Sequence, residues 1–240
     1  MSGLFPEPFL PPTGTAFPFA ALHDLNRHWV ELLGREAFSG EQSSVALVLE
    51  LHDELVRLSP EARKRAARCD ILLVDFAFQD GAWWRSVKSQ PCKSSRPGAS
   101  VGVLPRRAAI SLARATLMLA WHSLRADRDA ACVLMGMTSA VADLIHDVPL
   151  PQLDEIAGRQ FRHVQPRWQE QPAIWRALLN AAQSSRDRPM REFNLYALQL
   201  VAGALLSAQE SNRAEAHPSQ RQVHSRGPDR VNADLGHTRG

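Results

Sequence analysis

Apolar positions along the chain recur mostly every three or four residues, the spacing of one helical face. Leu22, Leu25, Trp29 and Leu32 or Leu33 predict an amphipathic helix from Phe19 to Leu33, with Gly34 as its stop. Val45 to Leu58 predicts a second, with Leu47, Leu49, Leu51, Leu55 and Leu58 available to bury. Ser59-Pro60-Glu61 is a start signal, Ser59 as cap and Pro60 at the first helical position, for a short helix to about Arg68. The run Ile71 to Phe78 (ILLVDFAF) fits a strand and, almost as well, a buried helical segment; Asp80-Gly81 turns the chain after it. A long helix is expected from Pro105 to about Arg125, with Ile110, Ala113, Leu117, Ala120 and Trp121 on one stripe. Asp127 to Met137 makes another helix, interrupted by Gly136, and Thr138 caps the next, which runs to about His146. Val148-Pro149-Leu150-Pro151 is a rigid turn. Pro151 then starts a short helix through Ala157, ended by Gly158. Phe161 to Trp168 reads as extended, and Pro172 to Ala182 and Met190 to Gln209 as helices. The expected fold class is mostly α, a multi-helix domain with a helix-turn-helix-like segment and a disordered C-terminal tail.

Proline and polarity mark the boundaries. Residues 1–19 interleave Pro6, Pro8, Pro11, Pro12 and Pro18 with Phe5, Phe9, Phe17 and Phe19. Such a segment is extended rather than helical, and its phenylalanines point to docking on the body of the protein or on a partner. A helical accessory region follows at 20–87. Pro91, Ser94, Ser95, Pro97, Gly98 and Ser100 mark a linker at 88–101. The main helical domain then spans 102–209. Residues 210–240 hold almost no large apolar side chains and cannot offset the entropy of ordering.

Composition narrows the class. With 240 residues, 45% hydrophobic and 22% charged, the chain is long enough to bury a core. Its mean hydropathy is -0.24, and no apolar run approaches the ~18 residues of a membrane span. No secretory leader is evident, and Cys69, Cys92 and Cys132 lie too far apart for a metal pair or a disulfide framework. A cytoplasmic protein without cofactor or metal is the expectation. Net charge is only +3, yet the cations are clustered. Gly81 to Ala126 holds eight basic residues and no acid; Arg159 to Arg191 holds seven arginines against Glu170 and Asp187. Such blocks neutralise phosphates, or else form a solvated surface beside a basic loop.

The strongest functional signal lies at 127–159, where three short helices join through tight connections. Small Ala130 and Ala131, Gly136 at a turn, Thr138, and apolar Val141 and Ile145 have the arrangement of a helix-turn-helix. A core helical hairpin shows similar residues. Thr138 and Ser139 stand at a helix start, where hydroxyls and free N–H groups meet phosphate. Leu117, Leu119, Ala120, Asp127, Ala131, Gly136, Ala142, the Leu150-Pro151-Gln152 step, Ala157 and Arg167 keep a spacing through which 117–168 resembles the bacterial FlhD family. That family supplies one subunit of the flagellar master transcriptional activator, and relatives occur on conjugative mobile elements.

The resemblance implies a helical, oligomerising, DNA-binding regulator that works with an FlhC-like partner subunit and helps recruit RNA polymerase. Under it, Arg159, Arg162, His163 and Arg167 become candidate DNA contacts, with Thr138 and Ser139 positioning phosphates. Leu117 and Trp121 become an oligomer interface and Asp127 a partner contact; the plain alternative is core for the first two and a helix cap for Asp127. Val164 stands where the family often has a cysteine linking two copies, so no such disulfide is expected here. The family's partner holds zinc in a cysteine cluster that this chain lacks, hence the separate partner.

Other chemistry is sparse. His52-Asp53-Glu54 is a metal or acid–base fragment or, more simply, the polar face of a leucine-rich helix. Asp75 interrupts an apolar run and, if buried, needs a partner. Trp83-Trp84 beside Arg85 could stack on bases or edge a core. No phosphate-binding glycine loop or nucleophile elbow occurs, so no enzyme is expected. A helical adaptor without DNA contact is the competing class.

Overall fold

The computed structural model describes residues 17–38, 46–89 and 104–216. Its helices are α1 (Phe19–Phe38), α2 (Ala46–Glu50), α3 (His52–Arg57), α4 (Pro60–Ala66), α5 (Gly81–Ser89), α6 (Arg106–Ala126), α7 (Arg128–Leu134), α8 (Ser139–His146), α9 (Leu150–Gln160), α10 (Pro172–Gln183) and α11 (Asp187–Ala216). A 3-10 turn at Phe161–His163 follows α9. Two short strands, β1 (Val74–Asp75) and β2 (Gln165–Pro166), pair antiparallel, with Val74 opposite Pro166. The mostly α expectation is therefore met.

Local chemistry explains most boundaries. Ser59 accepts a hydrogen bond from the Ala62 N–H and caps α4, with Pro60 at its first position. Asp127 does the same for α7 through the Ala130 N–H at 3.0 Å, and Thr138 caps α8 through the Val141 N–H. Several boundaries differ from the pattern-based expectation. α1 runs through Gly34, which is buried within the helix rather than ending it; a Cβ built there would lie 3.6 Å from the Arg63 guanidinium. The expected helix at 45–58 is broken at Leu51, whose φ of -106° and ψ of 15° leave helical values. Gly158 lies inside α9, and Phe161–His163 is helical rather than extended. α11 starts earlier than expected and continues to Ala216, into the segment expected to be disordered from residue 210. Lys88 and Ser89, the first residues of the linker expected at 88–101, close α5; the rest of that segment, the Pro/Phe-rich residues 1–16, residues 39–45 and residues 217–240 lie outside the described residues.

One continuous apolar core joins elements on either side of residues 90–103. Trp29, Leu33, Phe76, Trp84, Leu117, Ile145 and Trp175 all belong to it. α1 packs against α6, α4 against α10, and α11 against α7 and α10. Polar clasps reinforce this union. Arg65 donates to the Ala182 carbonyl at 2.6 Å, and Arg176 donates to Glu54 at 3.1 Å. Asn26 is fully buried: its amide donates to the Cys69 and Ile71 carbonyls, and its oxygen accepts from the Leu73 N–H at 2.8 Å. That one side chain holds the segment leading into β1 against α1.

Candidate nucleic-acid interface

α7 and α8 turn through 119° across Met135–Thr138. A four-residue turn and a bend of that size are helix-turn-helix geometry. Gly136 makes the turn with φ +60°, which an L side chain rarely adopts. A Cβ there would also overlap the Arg167 guanidinium.

Arg167 is 5% exposed. Its guanidinium donates to the Leu72 carbonyl at 2.6 Å and to the Met135 carbonyl, with Asp75 4.0 Å away. Its own N–H donates to Leu73, and its carbonyl accepts from the Trp175 indole at 2.7 Å. Burial lowers its pKa, partly opposed by Asp75. The expectation of Arg167 as a DNA contact is corrected: all of its reach is spent on sealing the α7–α8 turn against β1. Asp75, in turn, accepts from the Ala77 N–H and the Gln165 amide at 3.2 Å each, so its half-buried carboxylate has structural partners.

The remaining candidates fall in two places. Ser139 is exposed at the start of α8; Thr138 is buried, its hydroxyl accepting the capping bond. The solvent side of α8 carries Ser139, Ala140, Asp143 and His146. Arg128 donates to Asp143 at 2.6 Å, and Lys88 pairs with Asp147 at 3.7 Å. This face is not basic.

Cations gather instead where α9 ends beside the start of α6. The guanidinium carbons of Arg106 and Arg162 lie 5.7 and 5.8 Å from the centre of the Phe161 ring. Arg107 is exposed one residue on, and Arg159 bonds the Glu155 carbonyl in its own helix at 3.4 Å. The first turn of α6 holds two arginines and no acid, and Pro105 supplies no side-chain cap. A helix N-terminus already carries partial positive charge and free N–H groups, so this end attracts anions strongly. His163 packs against Trp83, ring centres 4.4 Å apart and planes inclined at 46°. Burial lowers its pKa, against opposing pulls from Asp80 and Asp75, which leaves the imidazole neutral at pH 7. Trp84 is fully buried and donates to the Ala77 carbonyl; Trp83 stays half-buried at the edge.

Leu117 is fully buried in the chain's own core. Trp121 is half-buried, donating to the Val148 carbonyl at 3.0 Å beneath Arg125. Asp127 is the α7 cap. Among the described residues no group of three or more His, Cys, Asp or Glu could hold a metal, and no single helix is long and apolar enough to cross a membrane.

The family model for the flagellar transcriptional activator (FlhD) matches residues 110–213. Residues 110–213 resemble FlhD. The FlhD-like segment thus takes in most of α6 and all of α7 to α10, and reaches well into α11. It spans somewhat less than half the chain and leaves α1 to α5 outside. The search of curated proteins and that of solved structures give no match. Residues missed at first are Arg106, Arg107 and Phe161. The signal for them was present: paired arginines at a helix start oppose the helix dipole unless an anion meets them.

Proposed function

We propose that this chain is an FlhD-like subunit of a transcriptional activator that grips promoter DNA through the α6–α9 corner. The observation that carries the reading is the convergence of Arg106 and Arg162 on Phe161, inside or beside the FlhD-like segment. Arg107, Arg159 and the uncapped N–H groups of α6 extend that anion-binding corner, and Ser139 adds a hydroxyl at the start of α8. These groups position phosphates, while Trp83 and His163 offer ring edges beside them. The chain acts in the cytoplasm with an FlhC-like partner and RNA polymerase. It self-associates through α11, where Leu195 is 63% and Leu206 61% exposed.

The test is promoter binding by the full chain with its partner, read by fluorescence anisotropy over a salt series. Promoters come from genome-wide occupancy of the tagged protein. Replacing Arg106 and Arg162 together by Ala should weaken binding uniformly across sequences and lower the salt slope by about 1 per lost phosphate contact. Unchanged affinity and slope in the folded double variant would refute the assignment. A second reading, a helical adaptor without DNA contact, is favoured by the solvent side of α8, which carries no basic side chain other than His146 and holds Asp143 paired with Arg128. It predicts no promoter occupancy at all.

A further inference from the structure

A cavity of about 430 Å³ lies between α1 and α6. Ala21, Leu25, Ala115, Met118 and Leu119 give it an apolar lining. Arg27, His28 and His122 bring polar groups, with Asp24 pairing Arg27 at 2.9 Å. Pro18 forms part of the wall, so the chain arrives at this cavity from its N-terminal side. Its approach is anchored. The Phe19 N–H donates to the Phe17 carbonyl and the Leu22 N–H to the Pro18 carbonyl. Phe17 is buried, edge-on to Phe19 with ring centres 5.0 Å apart.

Immediately upstream the sequence reads Leu4-Phe5-Pro6-Glu7-Pro8-Phe9-Leu10-Pro11-Pro12, then Thr13-Gly14-Thr15-Ala16. We propose that residues 4–12 dock in cis into the α1–α6 cavity, with Phe5 and Phe9 against its apolar lining and Glu7 toward Arg27.

Reach, chemistry and entropy all support this occupant. The cavity wall from Pro18 to His28 follows ten helical steps, roughly 15 Å at 1.5 Å each. Nine residues of polyproline II cover about 28 Å at 3.1 Å each, so the segment spans the cavity with chain to spare. Prolines stiffen the segment before it binds, and the tether holds it at an effective concentration of about a millimolar. The apolar lining matches its two phenylalanines. His28 and His122, whose pKa values burial lowers, offer neutral N–H donors to a carboxylate.

A photocrosslinking phenylalanine analogue at position 9 of the full chain, with peptide mapping by mass spectrometry, tests the assignment. Crosslinks within one chain to residues 21–28 and 111–122 are expected. Ala115→Glu, at an exposed site on α6, should reduce them about tenfold, the effect of a 1.4 kcal/mol loss. Circular dichroism confirms that this variant is folded. Crosslinks only elsewhere on the chain, only between chains, or absent would overturn the proposal, as would full yield in folded A115E. Crosslinks only between chains would place a second copy's segment in the cavity instead.

Discussion

Two buried polar side chains, Asn26 and Arg167, tie together backbone segments distant in sequence. Each satisfies backbone groups that no regular element reaches. Asn26→Ala strands the Leu73 N–H and releases two carbonyls, so it should cost about 3 kcal/mol or more in urea unfolding. A cost under 1 kcal/mol would mean that water replaces all three bonds. Histidine burial has its own signature. His28, His122 and His163 all have pKa values lowered chiefly by burial. The unfolded chain therefore binds protons more readily near pH 6.5, and stability falls as pH drops through that value toward the lower folded pKa values. Unfolding midpoints between pH 7.5 and 5.5 should show the decline, and His163→Gln should shallow it. Neither Asn26 nor Arg167 could be assigned its role from sequence. Their side-chain partners lie 32 to 95 residues away, and periodicity reports only neighbours on the same element.

At the level of elements, much was legible because caps are local. Ser59, Asp127 and Thr138 each sit three residues before the N–H that they accept from, a spacing visible in any sequence. Replacing Asp127 by Ala should destabilise the protein by about 1 kcal/mol, while Asn should be nearly neutral, since both caps accept the same bond. Equal losses for the two would indicate that the charge of Asp127, and hence a partner contact, matters more than the cap. Gly34 misled for a definable reason. Glycine ends a helix only where the chain needs a left-handed residue; Gly34 has no such φ and lies buried inside α1. The basic corner was half legible. Arg159, Arg162 and His163 were named from their block, but Arg106 and Arg107 become part of it only because the long helix α6 begins beside Phe161.

For the molecule as a whole, the apolar core and the Arg65 and Arg176 clasps unite elements that precede residue 90 with elements that follow residue 103. Far-ultraviolet and near-ultraviolet signals should therefore lose structure in one coincident transition; two separated transitions would show that the halves fold as independent units. The Trp175 indole bonded to the Arg167 carbonyl makes the same union sensitive to order of appearance. During synthesis the chain emerges at about 5–20 residues per second, and α7 and α8 are complete some twenty residues before Arg167 leaves the ribosome. Until then the carbonyls of Leu72 and Met135 lack the guanidinium that bridges them. A nascent chain arrested in α9 would carry an unsealed turn, an early vulnerability for proteases and a natural holding point for chaperones.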